Sequence, residues 1–222
     1  MDYNSVTASR TAGNGIEINK VLKNTYMLLS ATILFSAAMA FISMTTGIGS
    51  GAYLFSVIAA MVLGIFVLPK TANSSAGIGV IFLITGLLGF GLGPIISIYL
   101  QAANGAQIVT TALGGTGIIF LGLSGYVLTT KKDFTFMAGF LFTGMMVMLL
   151  GILANLFLQI PALSLGISAG VIMLMSGFIL FDTSRIIRGG ETNYIMATFG
   201  MYLSIFNIFI NLLSILGFMS DE

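Results

Sequence analysis

Long apolar blocks alternate with short polar breaks along this chain. The blocks cover roughly residues 25–45, 51–69, 78–100, 107–129, 134–158, 162–183 and 194–217. Each matches the length of about 20 apolar residues that an α-helix needs to cross the hydrocarbon core of a bilayer. The breaks carry turn chemistry: Thr46-Gly47 to Gly51, Pro69 to Gly77, Ala103 to Ala106, Lys131 to Asp133, Gln159-Ile160-Pro161 and Gly189 to Asn193. The pattern predicts an all-α, polytopic membrane protein of seven transmembrane helices. Such short connectors make neighbours in sequence antiparallel neighbours in space. Residues 1–24 are predicted as a polar cytoplasmic tail and residues 25–219 as the bundle. Small polar residues from Asn4 to Gly15 predict disorder. Ile16, Ile18, Val21 and Leu22 then predict a short amphipathic lead-in lying on the membrane surface. Ala38-Met39-Ala40 resembles a signal-peptide cleavage site, but the apolar run continues through Met44, so the block reads as a true span.

Charge fixes the orientation. The Lys and Arg residues are Arg10, Lys20, Lys23, Lys70, Lys131, Lys132, Arg185 and Arg188. All fall in the N-terminal segment or in the second, fourth and sixth junctions; the other junctions and the C-terminal tail hold none. The positive-inside rule places the N-terminus in the cytoplasm and Asp221-Glu222 outside. Only 7% of residues are charged and 57% are hydrophobic, against about 25% charged in a soluble domain. A net charge of +1 gives no footprint for nucleic acid. Cys and His are absent, which removes disulfides, thiol nucleophiles and the commonest metal ligand and general base. No metal site, cofactor or catalytic residue is expected.

Lipid gives helices no hydrophobic reason to associate, so small residues and hydrogen bonds must hold the bundle. Gly89 and Gly93, and Gly166 and Gly170, are four apart and flatten one face each; Pro94 predicts a kink. Gly89, Gly91 and Gly93 sit inside an apolar run and follow no strand, so they are packing residues and not a phosphate loop. In the seventh span Ser204, Asn207, Asn211 and Ser214 fall on one helical face. Such a stripe is costly against lipid, so the seventh helix is placed inside the bundle. The stripe serves either as interhelical glue or as the lining of a water-accessible path. Asp182, near the cytoplasmic end of the sixth span, is either an interfacial acid paired with Arg185 or a buried acid that senses pH or touches a cation. Ser204 should lie at a similar depth across the Gly189-Gly190 hairpin. Glu191, Thr192 and Asn193 form either a contact surface or a solvated turn.

Several segments together carry a family resemblance: KVLKNTYMLLSATILFSA, PKTANSSAGI, TGLLGFGLGPIISIYL, ALGGTG, YVLTTKKDF, ANLFLQIPALSLGISA and FDTSRIIRGGETNYIMATFGMYLSIFNIFINLLSILGF. The chain resembles the Bax inhibitor-1 family, in its bacterial branch of FtsH-protease modulators. The resemblance implies two three-helix layers around a central seventh helix, and a bacterial inner-membrane protein. It further implies that the chain binds the membrane-anchored protease FtsH and restrains its degradation of membrane proteins. Relatives in the wider family are pH-sensitive calcium leaks with an aspartate pair on the last two helices. Asp182 matches the first aspartate and Ser204 stands at the second, so a shared-proton dyad cannot form there. Calcium or protons are therefore the alternative partners, beside the protease and the bilayer.

Intramembrane proteolysis is excluded by the missing His and by a single aspartate at membrane depth. A reporter active only in the cytoplasm is expected to work when fused at Lys132 or Arg188, and one active only outside when fused after Glu222. A cytoplasmic C-terminus would refute both the orientation and the span count.

Overall fold

The computed structural model describes the backbone of residues 3–47, 49 and 51–220, and the side chains of residues 15–47, 49, 51 and 53–220. Among the described residues, seven helices are long and apolar enough to cross a membrane. They are α1 (Tyr3–Thr46), α2, α3 (Ser75–Leu100), α4 (Gly105–Thr130), α5 (Ala138–Leu158), α6 (Pro161–Ile187) and α7 (Tyr194–Ser220). The second is composite: Gly51–Val62, a π-helical turn at Leu63–Val67 and a last turn at Leu68–Thr71. No strand occurs among the described residues. The ends follow local chemistry. Lys131 and Gln159 take left-handed conformations after α4 and α5, Pro161 opens α6 where its missing N–H costs nothing, and α3 runs unbroken through Pro94.

Helix α1 begins well before residue 25, where the first span was expected. Val21 and Leu22 pack against the core, and Ile18 lies against Gly189. Most of its lead-in thus rests on the bundle, although Ile16 stays 70% exposed. Where disorder was expected from Asn4 to Gly15, the backbone instead continues α1 as helix from Tyr3.

The helices sort into α1–α3 on one side and α4–α6 on the other, with α7 packed against α1, α3, α4 and α6. The flanking α2 packs mainly on α3, and α5 mainly on α6. Phe199 of α7 also meets α2, where a β-carbon on Gly64 would come within 2.5 Å of its ring. Small residues set the closest approaches. On α3, Gly89 faces the backbone of Ser36, and a β-carbon on Gly93 would lie 2.5 Å from that of Ser43. Helix α1 therefore lies on α3 almost backbone to backbone, as the glycine spacing predicts. The second predicted pair is only half realised. A β-carbon on Gly170 would meet Met148 of α5, whereas one on Gly166 would meet nothing within 4 Å. Helix α5 seats itself instead at Leu174 over Gly144 and Leu141 over Gly177.

Polar side chains then join three helices at a time. Tyr202 of α7 shares a 2.6 Å hydrogen bond with Ser36 of α1 and donates to the carbonyl of Thr85 on α3. Tyr26 of α1 bonds Ser124 of α4, which reaches Thr183 of α6 at 3.3 Å. Thr198 donates to the carbonyl of Thr25 at 3.2 Å.

At the end that carries Lys and Arg, the connector before α7 is pinned on both sides. Asn193 caps α7, its Oδ1 accepting from the amides of Ile195 and Met196. Its Nδ2 donates to the carbonyl of Ala72 and to Oδ1 of Asn73, in the connector between α2 and α3. Arg188 donates to the carbonyl of Lys131 and pairs with Asp133, in the connector between α4 and α5. Asn193 thus belongs to the structural frame and not to a free turn. Asn193→Ala removes cap and clamp together and is expected to destabilise the bundle by about 1–2 kcal/mol. Asn193→Asp keeps the cap acceptor and should cost less. Thermal unfolding in detergent checks both; an alanine variant as stable as the parent would show that the clamp contributes nothing.

Candidate functional site

The last turns of α6 read FDTSRII, and the first turns of α7 bring Gly200 and Ser204 alongside. A β-carbon on Gly200 would sit 3.0 Å from Oδ2 of Asp182, so the carboxylate rests against bare backbone. Ser204 lies one turn further along, is 2% exposed and bonds the carbonyl of Gly200. The sequence therefore places Asp182 and Ser204 at neighbouring depths, and the structure brings them within one turn. Among the described residues, no hydrogen bond to the Asp182 carboxylate is made and no cluster of three metal-ligating side chains forms.

The expected Asp182–Arg185 pair is not formed. Nη2 of Arg185 lies 3.0 Å from Oε2 of Glu191, and its Nε donates to the carbonyl of Gly190. The cause is the turn. Gly189 takes a φ of +72°, open to glycine at little cost. The chain then folds back so that the amides of Gly190 and Glu191 both reach the carbonyl of Arg185. Glu191 is delivered to the guanidinium at the wet end of the helix, while Asp182 faces inward. Of the three candidates, Asp182 and Ser204 both lie beside Gly200, and Arg185 works in the turn.

In the stripe on α7, the amides of Asn207 and Asn211 bond within their own helix. Nδ2 of Asn207 donates to the carbonyl of Leu203, and Nδ2 of Asn211 to that of Asn207. These polar groups fold back onto their own helix, which is how a side chain amid apolar neighbours satisfies itself. The remaining member, Ser214, lines a second cavity of about 460 Å³ near the far end, with Tyr99 and Ser164. Cross-helix hydrogen bonds come instead from Tyr202, Tyr26 and Thr198, which the sequence reading passed over. A tyrosine within a span is itself a signal, since its hydroxyl needs a partner in hydrocarbon.

Around this site the connector charges are set locally. The hydroxyl and then the amide of Thr135 hold the Asp133 carboxyl below its ordinary range. A depressed value means that Asp133 stays charged for Arg188 at neutral pH and releases it only as the pH falls through that lowered value. Tyr126, through hydrogen bonding and charge, raises Lys132 above its usual value, with the ammonium 5.6 Å from the ring centre.

Comparison with known proteins places this arrangement in context. The family model described as "Inhibitor of apoptosis-promoting Bax1" matches residues 18–221. The chain is 48% identical over 217 residues to the Escherichia coli (strain K12) protein named "Modulator of FtsH protease YccA", covering 98% of each. It is 50% identical over 207 residues to an uncharacterized membrane protein of Vibrio cholerae, covering 93% of each. An uncharacterized protein of Pseudomonas aeruginosa is 44% identical over 201 residues, 90% of each chain. The family match starts in the lead-in of α1 and runs past the end of α7, taking in both Asp182 and Ser204. By sequence and by its seven-span, all-α architecture, this membrane protein belongs to the family of the inhibitor of apoptosis-promoting Bax1.

Proposed function

We propose that the chain is a multi-pass inner-membrane regulator that binds an FtsH-type membrane-anchored protease and restrains its degradation of membrane proteins. The observation that carries this reading is 48% identity over 98% of both chains to a protein named as a modulator of FtsH. Supporting it, the Lys and Arg residues gather at one end. That end faces the cytoplasm, with the C-terminus outside. The protease is met by the N-terminal segment and the pinned connectors.

The residues ahead of Glu17 hold few apolar side chains. An isolated polar helix there is marginal and readily gives an end to pull. Removal of residues 2–16 is expected to leave the bundle inserted and bound to the protease while lengthening its own half-life. Pulse-chase labelling with co-purification checks this. An unchanged half-life would remove the role of the tail, and failure of the full chain to co-purify would remove the regulator reading itself.

A cation leak controlled at Asp182 is the second reading, favoured by a carboxylate that faces α7 without a hydrogen bond. Protonation would neutralise it, so Asp182→Asn should mimic the low-pH state, and Ser204→Asp should restore a dyad and steepen the pH response. Calcium flux into proteoliposomes is the measurement. Flat, identical curves for parent and both variants would leave Asp182 an ordinary helix-end acid.

A further inference from the structure

Between the two groups of helices, in the half of the bundle away from the Lys and Arg residues, lies a cavity of about 490 Å³. That volume falls within the range of about 300–1,000 Å³ typical of small-molecule sites. Its floor is α7, at Tyr202, Phe206 and Phe209, each less than a tenth exposed. Its mouth opens sideways between α1 and α4. Phe41 and Leu113 line it yet are 67% and 55% exposed, so the opening faces the surface that the spans present to the bilayer. Nearer the basic end, Tyr26 closes the same seam by packing on Phe120 and bonding Ser124.

The walls decide the occupant. Three hydroxyls line the space, those of Ser36, Thr116 and Tyr202. Ser36 and Tyr202 bond each other, Tyr202 also reaches Thr85, and Thr116 donates to the carbonyl of Ala112. With its polar groups engaged, the cavity offers little to water or to an ion, and an apolar cavity of this kind stays dry. Left empty, its lining would forgo dispersion contacts on one side. An apolar chain at hydrocarbon depth supplies those contacts without breaking any hydrogen bond, and lipid tails are the species the mouth meets. We propose that this cavity is a lipid-binding site that takes one acyl chain of a bilayer phospholipid, entering between Phe41 and Leu113 from the leaflet opposite the Lys and Arg residues.

Gly117 supplies the test. It lines the cavity, and a β-carbon built there meets nothing within 4 Å. Gly117→Leu therefore adds bulk to the cavity wall with no clash at its β-carbon, and leucine also suits a helix better than glycine. The chain has no Trp, so single-Trp variants report one position each. Phe206→Trp probes the cavity floor, and Phe157→Trp probes the outer surface of α5, where Phe157 is 88% exposed. Each variant is reconstituted in phosphatidylcholine with brominated acyl chains, which quench indole on contact, and in the same lipid without bromine. The expected result is loss of most of the fluorescence at both positions. Adding Gly117→Leu should restore the signal of Phe206→Trp and leave Phe157→Trp quenched. Equal fluorescence of Phe206→Trp in the two lipids overturns the proposal, as does quenching that Gly117→Leu leaves unchanged. Phe209→Trp takes the place of Phe206→Trp should that variant fail to fold. Native mass spectrometry of the detergent-extracted parent gives an independent reading. A retained phospholipid that disappears in Gly117→Leu supports the site, and equal retention in both refutes it.

Discussion

At mid-depth the hydroxyl of Tyr202 fastens the central helix to two helices of the group formed by α1–α3 at once. It bonds Ser36 of α1 and the carbonyl of Thr85 on α3 at the same time. Water could take either role at a protein surface; in hydrocarbon there is none to do so, and an unsatisfied hydroxyl is costly. Those two bonds fix where α7 stands between the groups, and with it the depth at which Gly200 and Ser204 face Asp182. A second tie leaves α7 out and joins the two groups directly, from Tyr26 of α1 through Ser124 of α4 to Thr183 of α6, the neighbour of Asp182. The position of the candidate site is therefore set by two tyrosines that do not belong to it.

Much of this architecture is legible in the sequence because the bilayer simplifies the problem. Span length and the placement of Lys and Arg define the seven helices. Gly89 and Gly93 disclose a face of α3 that a neighbour can approach closely, since close backbone contact demands small residues; the structure supplies the neighbour, α1. Asp182 and Ser204 end at neighbouring depths because a tight hairpin ties the heights of two adjoining helices. What escaped is the choice each flexible polar side chain makes among several partners. Arg185 at three residues from Asp182 satisfies the spacing rule for a pair, yet a positive-φ glycine brings Glu191 closer to water and to the guanidinium. Periodicity puts Asn207 and Asn211 on one face of the helix, but it does not say that their amides bend back to their own helix. Gly166 shows the same limit for packing, because spacing identifies a flat face and not whether a neighbour occupies it.

The two ends of the bundle are held differently. At the basic end, Asn193, Arg188 and Ser184 bind connectors from both helix groups, with Ser184 accepting from the amide of Phe134. These bonds involve backbone carbonyls and amides, which cannot swing away as side chains do. At the other end Ser220 bonds Asn104 at an exposed position, where water competes for both partners. Local opening follows the weaker ties, so the half away from the basic residues is where the helices can most readily separate.

The same asymmetry explains why a cavity exists in that half. Helix α1 is committed to α3 along its length, through Ser36 on Gly89 and Ser43 on Gly93. A helix drawn that close to one neighbour leans away from the other unless large side chains bridge the gap. Near the basic end Tyr26 provides the bridge to α4. Further along, the positions α4 offers include Gly114 and Gly117, and a β-carbon on either would meet nothing within 4 Å. The small residues that weld α1 to α3 and the small residues that leave α4 bare thus act together. One pair closes an interface, and on α4 Gly117 leaves part of the cavity wall without a side chain.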